Sequence, residues 1–206
     1  MSDTQVEKIS VLVAEDEAII RLDLKEMLEE EGMVVVAEAA DGDAAIRSAR
    51  EHKPDLVIMD IKMPGTDGLT AAETISSEGL GAVLILTAFS QRDLIQRAAE
   101  AGAMGYLVKP FQKADLLPAI EIALSRYAEL SAVKQESQGL AEQLESRKVI
   151  DRAKGKLIDR HSMTEAEAFR HIQKRAMDER RSMRVVAQDV LDSDGALPPS
   201  PAPSDN

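Results

Sequence analysis

Short apolar runs alternate with amphipathic stretches through the first half of the chain. Ile9 to Ala14, Val34 to Ala37, Leu56 to Met59, Val83 to Leu86 and Gly105 to Val108 are rich in Val, Ile and Leu and predict five strands. Between them, Ala18 to Glu31, Gly42 to His52, Gly68 to Ser77 and Gln91 to Ala101 carry apolar residues at helical spacing and predict the connecting helices. Single helices between successive strands imply right-handed crossovers and hence a parallel sheet covered on both faces, an α/β doubly wound domain. The run Leu56 to Met59 has no polar face, as a strand buried on both sides requires. It delivers Asp60 into a loop of turn residues that includes Pro64 and Gly65.

A fifth helix is expected from near Lys113, with Pro118 tolerated in or near its first turn, and no breaker follows where the domain should end. Leu130, Val133, Ser137, Leu140, Leu144 and Arg147 alternate in steps of three and four, a heptad seam with Ser137 and Arg147 as imperfect members and Gly139 weakening the helix. The seam could pair with another chain, fold back, or stay a solvated linking helix. From Arg147 to Leu191 the pattern predicts three helices and no strand. The first continues through Val149, Ile150, Ala153, Leu157 and Ile158. The second opens at Thr164, whose hydroxyl and Glu167 form a capping box. It is expected to bury Ala168, Phe169, Ile172 and Ala176. The third runs from Met183 to Leu191. The expected organisation is a domain over 1–128, a helical linker over 129–146, a small all-α domain over 147–191 and a disordered tail over 192–206, proline-rich from Gly195.

Charge separates the halves. Residues 1–146 hold 13 Lys/Arg against 27 Asp/Glu, whereas 147–190 hold 12 against 7, so an acidic domain precedes a basic one. With 206 residues and 44% hydrophobic content, the chain can bury a core in one ordinary domain and a small one. No apolar run is long enough to span a membrane, the N-terminus lacks a secretory pattern and there is no cysteine, so a cytoplasmic location is expected.

Polar residues follow four of the strands: Glu15 and Asp16 the first, Asp60 the third, Thr87 the fourth and Lys109 the fifth. Each has an ordinary reading taken singly, such as a turn former or helix cap for Asp60, a cap for Asp16 or Thr87, and a solvated strand end for Lys109. Together they gather at the carboxyl edge of the sheet, where open α/β folds bind ligands.

These residues resemble the receiver domain of bacterial response regulators, a flavodoxin-like fold. The match spans about residues 8 to 128 and rests on Glu15-Asp16, DIKMPGTDG from Asp60, Thr87-Ala88, Tyr106 and Lys109-Pro110-Phe111. The resemblance implies that Asp60 accepts a phosphoryl group from a sensor histidine kinase. It implies Mg2+ held by Glu15, Asp16, Asp60 and the Lys62 backbone carbonyl, a hard oxygen site. Thr87 and Lys109 would contact the phosphoryl oxygens, Ala88 would leave the nucleophile accessible, and the Lys109-Pro110 bond would be cis. Thr87 and Tyr106 would act as the switch, Tyr106 turning inward on phosphorylation; a static core aromatic is the other reading of Tyr106.

The C-terminal part resembles the ANTAR domain, the RNA-binding module of transcription antiterminators. The resemblance rests on RKVIDRAKGKLI from Arg147, TEAEAFRHIQKRAMD from Thr164 and Val186-Ala187, with Met183 where an aliphatic Leu is more usual. It implies binding to hairpin RNA, with Arg147, Lys148, Arg152, Lys154, Arg175 and Arg181 as the expected contacts. Phe169 reads as core, which would leave no aromatic for base stacking, and His161 and His171 read as surface or cap residues. A homodimer through the receiver or the linking helix would fit either part. The function implied is a regulator and not an enzyme. Two other outputs stay open: a DNA-binding helix-turn-helix, disfavoured by a turn near His161 to Thr164 that does not look tight, and a purely protein-binding surface.

Overall fold

The computed structural model describes residues 8–88 and 92–194. The expected tail from Gly195 onward lies outside the described residues. The chain divides into two compact units, residues 1–132 and 133–206.

In the first unit β1 (Ser10–Ala14), α1 (Ala18–Glu30), β2 (Val34–Ala39), α2 (Gly42–His52), β3 (Leu56–Asp60), α3 (Gly68–Glu78), β4 (Ala82–Thr87), α4 (Arg92–Glu100) and β5 (Gly105–Val108) alternate along the chain. The sheet has the order β2-β1-β3-β4-β5, and all four pairings are parallel. The order reverses direction between β1 and β3, the switch point at which doubly wound sheets open a crevice.

The apolar runs divide between two faces with strand periodicity. Leu12, Ala14, Val57, Met59, Val83 and Ile85 pack with Ala45, Ala49, Ala71, Ala72, Ile75 and Ala98 of α2, α3 and α4. Val11, Val13, Leu56, Ile58, Leu84 and Leu86 pack on the other face with Leu24 and Leu28 of α1 and with Leu116, Ile120 and Ala123 of the next helix. That is why the central runs contain no polar position.

The next helix, α5, runs without interruption from Lys113 to His161, so the expected linker and the first helix of the C-terminal domain are one element. Pro118 is its sixth residue and thus sits in the second turn rather than the first. Leu130, Val133, Leu140 and Leu144, the apolar seam positions, are exposed.

In the second unit, α6 (Glu165–Glu179) and α7 (Met183–Asp192) pack against α5 through Ala153, Leu157, Ala168, Ile172, Ala176, Val186, Ala187 and Val190. The capping box at Thr164 is formed, with Glu167 closing back on the Thr164 backbone. Both connections are tight: only residues 162–164 separate α5 from α6, and only 180–182 separate α6 from α7. Left-handed Ser162 and Arg180 turn the chain at each. The looser first turn expected from the sequence is therefore corrected. α7 reaches Asp192, Ser193 caps it, and Asp194 accepts from Arg160, so residues 192–194 belong to the folded part and not to the tail.

Phe169 is the other departure. Ala168, Ile172 and Ala176 form the buried stripe of α6, while Phe169 is 41% exposed. So small a domain buries only the narrow inner stripe of each helix, and a residue about 100° away on the helical wheel falls at the rim.

Candidate functional site

Glu15, Asp16, Asp60, Thr87 and Lys109 converge at the carboxyl edge of the sheet. Asp60 and Thr87 are the last residues of β3 and β4, and both are almost fully buried. Lys109 follows β5, held by the hydrogen bond from its backbone N–H to the Thr87 carbonyl at 2.8 Å. Its bond to Pro110 is cis. The Lys109 Nζ lies 2.5 Å from Glu15 Oε2 and 3.1 Å from Asp60 Oδ2. The other Asp60 oxygen accepts the backbone N–H of Ile61 at 2.8 Å.

Three of the ordinary readings do not hold. α1 is capped at Glu17 and α3 by Asp67, so neither Asp16 nor Asp60 is a helix cap. The Lys109 side chain is 13% exposed and is not a solvated strand end. One carboxylate oxygen each from Glu15, Asp16 and Asp60 lies within 4.8 Å of the others. A cavity of about 370 Å³ opens over them, lined by Asp16, Asp60, Lys62, Thr87, Ala88 and Lys109.

Electrostatics follows from this crowding. Burial pushes the Glu15 carboxyl above the usual carboxylate range, although the hydrogen bond and charge of Lys109 oppose it. Burial also works against the Lys109 ammonium, but the hydrogen bond to Glu15 and the nearby Asp60 outweigh it and hold the ammonium above the usual lysine range. Asp16 is exposed at the mouth. Three acids with one lysine leave an excess of negative charge that an oxygen-seeking dication would offset.

Two features escape the sequence. Arg21 donates to the Glu15 backbone carbonyl at 2.5 Å, tying α1 to the acidic loop. Gly68 packs on Asp60 so closely that an added Cβ would stand 1.9 Å from the Asp60 carbonyl oxygen. Tyr106 is 45% exposed, so it is not a core aromatic.

In the second unit the six basic candidates separate into two groups. Arg147, Lys148 and Arg152 are exposed on α5; Arg147 has Asp151 at 3.9 Å and Lys148 pairs with Glu145 at 2.7 Å. Lys154 is held between Asp151 and Glu165, each at 2.8 Å. Arg175 and Arg181 share Glu179 and Asp189, with Arg175 to Glu179 at 2.6 Å and Arg181 to Asp189 at 2.7 Å. These pairs bind the end of α6 to α7. His171 is half-buried rather than a surface residue, with a buried Nε2 that has no hydrogen-bond partner among the described residues.

A sheet of order 2-1-3-4-5 whose third strand ends in a buried Asp, facing a lysine after the fifth and acids after the first, defines a receiver domain. The chain belongs to the response regulators, and its pairing of a receiver with an ANTAR domain is a regulatory, non-enzymatic one. The response regulator receiver domain family matches residues 11–121, and the ANTAR domain family matches residues 138–191. The chain is 56% identical over 185 residues to the transcriptional regulatory protein PdtaR of Mycobacterium tuberculosis, covering 90% of each chain. It is similar to the solved receiver domain of the response regulator NarL from M. tuberculosis, with 31% identity and a TM-score of 0.55 over 58% of this chain and 98% of that one. It is also similar to a chain in a CheX–CheY–BeF3–Mg2+ complex from Borrelia burgdorferi, with 27% identity and a TM-score of 0.52 over 54% of this chain and 86% of that one. No helix among the described residues is long and apolar enough to cross a membrane.

Proposed function

We propose that the chain is a cytoplasmic, phosphorylation-controlled RNA-binding transcription antiterminator, with Asp60 as phosphoacceptor and a sensor histidine kinase as donor. The observation that carries the first half is the Lys109 ammonium 3.1 Å from Asp60 Oδ2 at the cavity over the acids. An Asp60 oxygen attacks the phosphorus of a phosphohistidine; the P–O bond forms as the P–N bond breaks, and the electron pair leaves on the imidazole nitrogen. Lys109 then has a phosphoryl oxygen to meet in place of the Asp60 oxygen it now holds, and Thr87 from β4 donates its hydroxyl to another.

The donor set suits Mg2+. Asp16 and Asp60 offer carboxylate oxygens at the cavity, Lys62, which lines it, would offer its backbone carbonyl, and Glu15, buried behind them, adds negative charge. When bound, such an ion neutralises charge on the transferring phosphoryl group. The CheX–CheY complex contains Mg2+ together with BeF3, which agrees with this reading.

For the output, the ANTAR match supports RNA over duplex DNA, and the similarity to the transcriptional regulatory protein PdtaR agrees with a role in transcription. Arg147, Lys148 and Arg152 are the exposed contacts on α5, while Lys154, Arg175 and Arg181 would have to exchange internal carboxylates for phosphates. The tight turn between α6 and α7 has helix-turn-helix length and favours the DNA reading. Against it, α7 carries Asp189 and Asp192 beside its one basic residue, Arg184, and would meet the phosphates of a major groove with net negative charge. Phosphorylation would move Thr87 and draw exposed Tyr106 inward, and the exposed seam from Leu130 to Leu144 would serve a homodimer. Coupling of about 1 to 3 kcal/mol suffices for control. The test is phosphoryl incorporation from acetyl phosphate with Mg2+, read by intact mass, together with hairpin RNA retention; incorporation that persists in Asp60→Ala contradicts the assignment.

A further inference from the structure

Phe169 exposes its ring beside a cavity of about 620 Å³ that runs along one face of α5, past Gln143, Ser146, Arg147 and Ile150. The walls are of mixed chemistry and include two acids, Glu142 and Asp151, the latter paired with Lys154 at 2.8 Å and facing Arg147 at 3.9 Å. Ile150 is half-buried and continues the apolar surface next to the ring, Gln143 brings an amide with two donors and an acceptor, and Ser146 brings a hydroxyl. The Arg147 side chain is 82% exposed, with its ion-pair partner Asp151 no closer than 3.9 Å. The seam residues Leu140 and Leu144 do not line this cavity. At about 100° per residue they project from a face of α5 roughly a quarter-turn away from Gln143 and Ile150. Arg147, the last seam position, lies between the two faces, so a second helix seated on the seam would border the cavity at Arg147 and leave Gln143 and Ile150 open. An aromatic face, an amide that can read a base edge and a guanidinium for stacking or phosphate are what an unpaired base requires.

We propose that Phe169, with Gln143, Ser146, Arg147 and Ile150, forms a stacking site for one unpaired nucleobase of an RNA hairpin loop. The inference rests on the RNA-binding reading and adds to it the place and the mode of loop recognition.

The experiment uses the full chain and a hairpin selected by the wild type from a randomised-loop pool, with 2-aminopurine placed at each loop position in turn. Phe169→Leu keeps apolar bulk at the rim and removes the ring; Phe169→Trp keeps a ring. The wild type quenches one loop position. Phe169→Leu loses that quench and roughly 10- to 100-fold in affinity, with the slope of log K against log salt unchanged because no phosphate contact is lost. Phe169→Trp retains both. Undiminished affinity and quenching in Phe169→Leu overturn the proposal, as does a changed sedimentation mass in that variant, which would place Phe169 between chains. If the wild type selects no hairpin at low salt, the RNA-binding reading itself falls, an outcome visible before any variant is made.

Discussion

Lys109 bridges Glu15 and Asp60, its Nζ 2.5 Å from the first and 3.1 Å from the second. Glu15 is fully buried, so the lysine both compensates a charge inside the protein and stands at the cavity where Asp60 is reached. Removing one partner of a buried pair leaves the other uncompensated, at a cost of about 3–5 kcal/mol. Lys109→Met therefore lowers the urea midpoint of the first unit, and adding Glu15→Gln recovers part of the loss. Phosphoryl incorporation, in contrast, falls about 10²-fold in Lys109→Met and is not recovered in the double variant. Parallel recovery of both properties would reduce Lys109 to a structural residue.

Divalent cation and acid cluster are linked. Mg2+ that binds only the folded site stabilises it by about 2.7 kcal/mol at a hundred times its dissociation constant. A thermal scan with and without Mg2+ shows the gain in wild type and its loss in Asp16→Asn. An equal gain in both would move the ion away from Asp16.

Gly68 sets how closely α3 approaches the phosphoacceptor. With an added Cβ 1.9 Å from the Asp60 carbonyl oxygen, Gly68→Ala must displace the end of β3. Overpacking of this kind costs about 1–3 kcal/mol. Incorporation at Asp60 slows as well, measured at fixed acetyl phosphate, whereas Gly139→Ala, where an added Cβ meets nothing within 4 Å, leaves incorporation unchanged.

His171 makes the second unit sensitive to acid. Burial, then the charges of Arg175, His161 and Lys174, hold its pKa below the ordinary 6.5. Because the folded state resists the proton that the unfolded chain accepts, folding stability from this group is intact above about pH 6.5 and is lost as the pH falls toward the lowered folded value. The protection of α6 amides relative to their intrinsic exchange rates thus falls between neutral and mildly acidic pH in wild type, and less so in His171→Gln. An identical pH response in the two proteins would remove His171 as the cause.

Much of this was open to reading from the residues. The four strand-end positions announce themselves because parallel strands buried on both faces tolerate polar residues only at their ends. What could not be read is partnership. Lys109 lies 94 positions from Glu15, and only the sheet order brings them together. Arg175 and Arg181 look like free basic residues until the turn at 180–182 sets Asp189 against them. Phe169 sits next to a true core position, Ala168, and a single step around the helix decides between core and rim. His171 likewise depends on how α6 packs.

Coupling between Asp60 and RNA is what makes the chain a regulator of this kind. Hairpin RNA retention, with matched duplex DNA as competitor, is measured for wild type before and after phosphorylation and for Asp60→Ala treated alike. The expected result is a preference for the hairpin that rises on phosphorylation in wild type and does not change in Asp60→Ala. Equal or greater retention of the duplex in every state would contradict the RNA output, and a rise that persists in Asp60→Ala would contradict the phosphoacceptor.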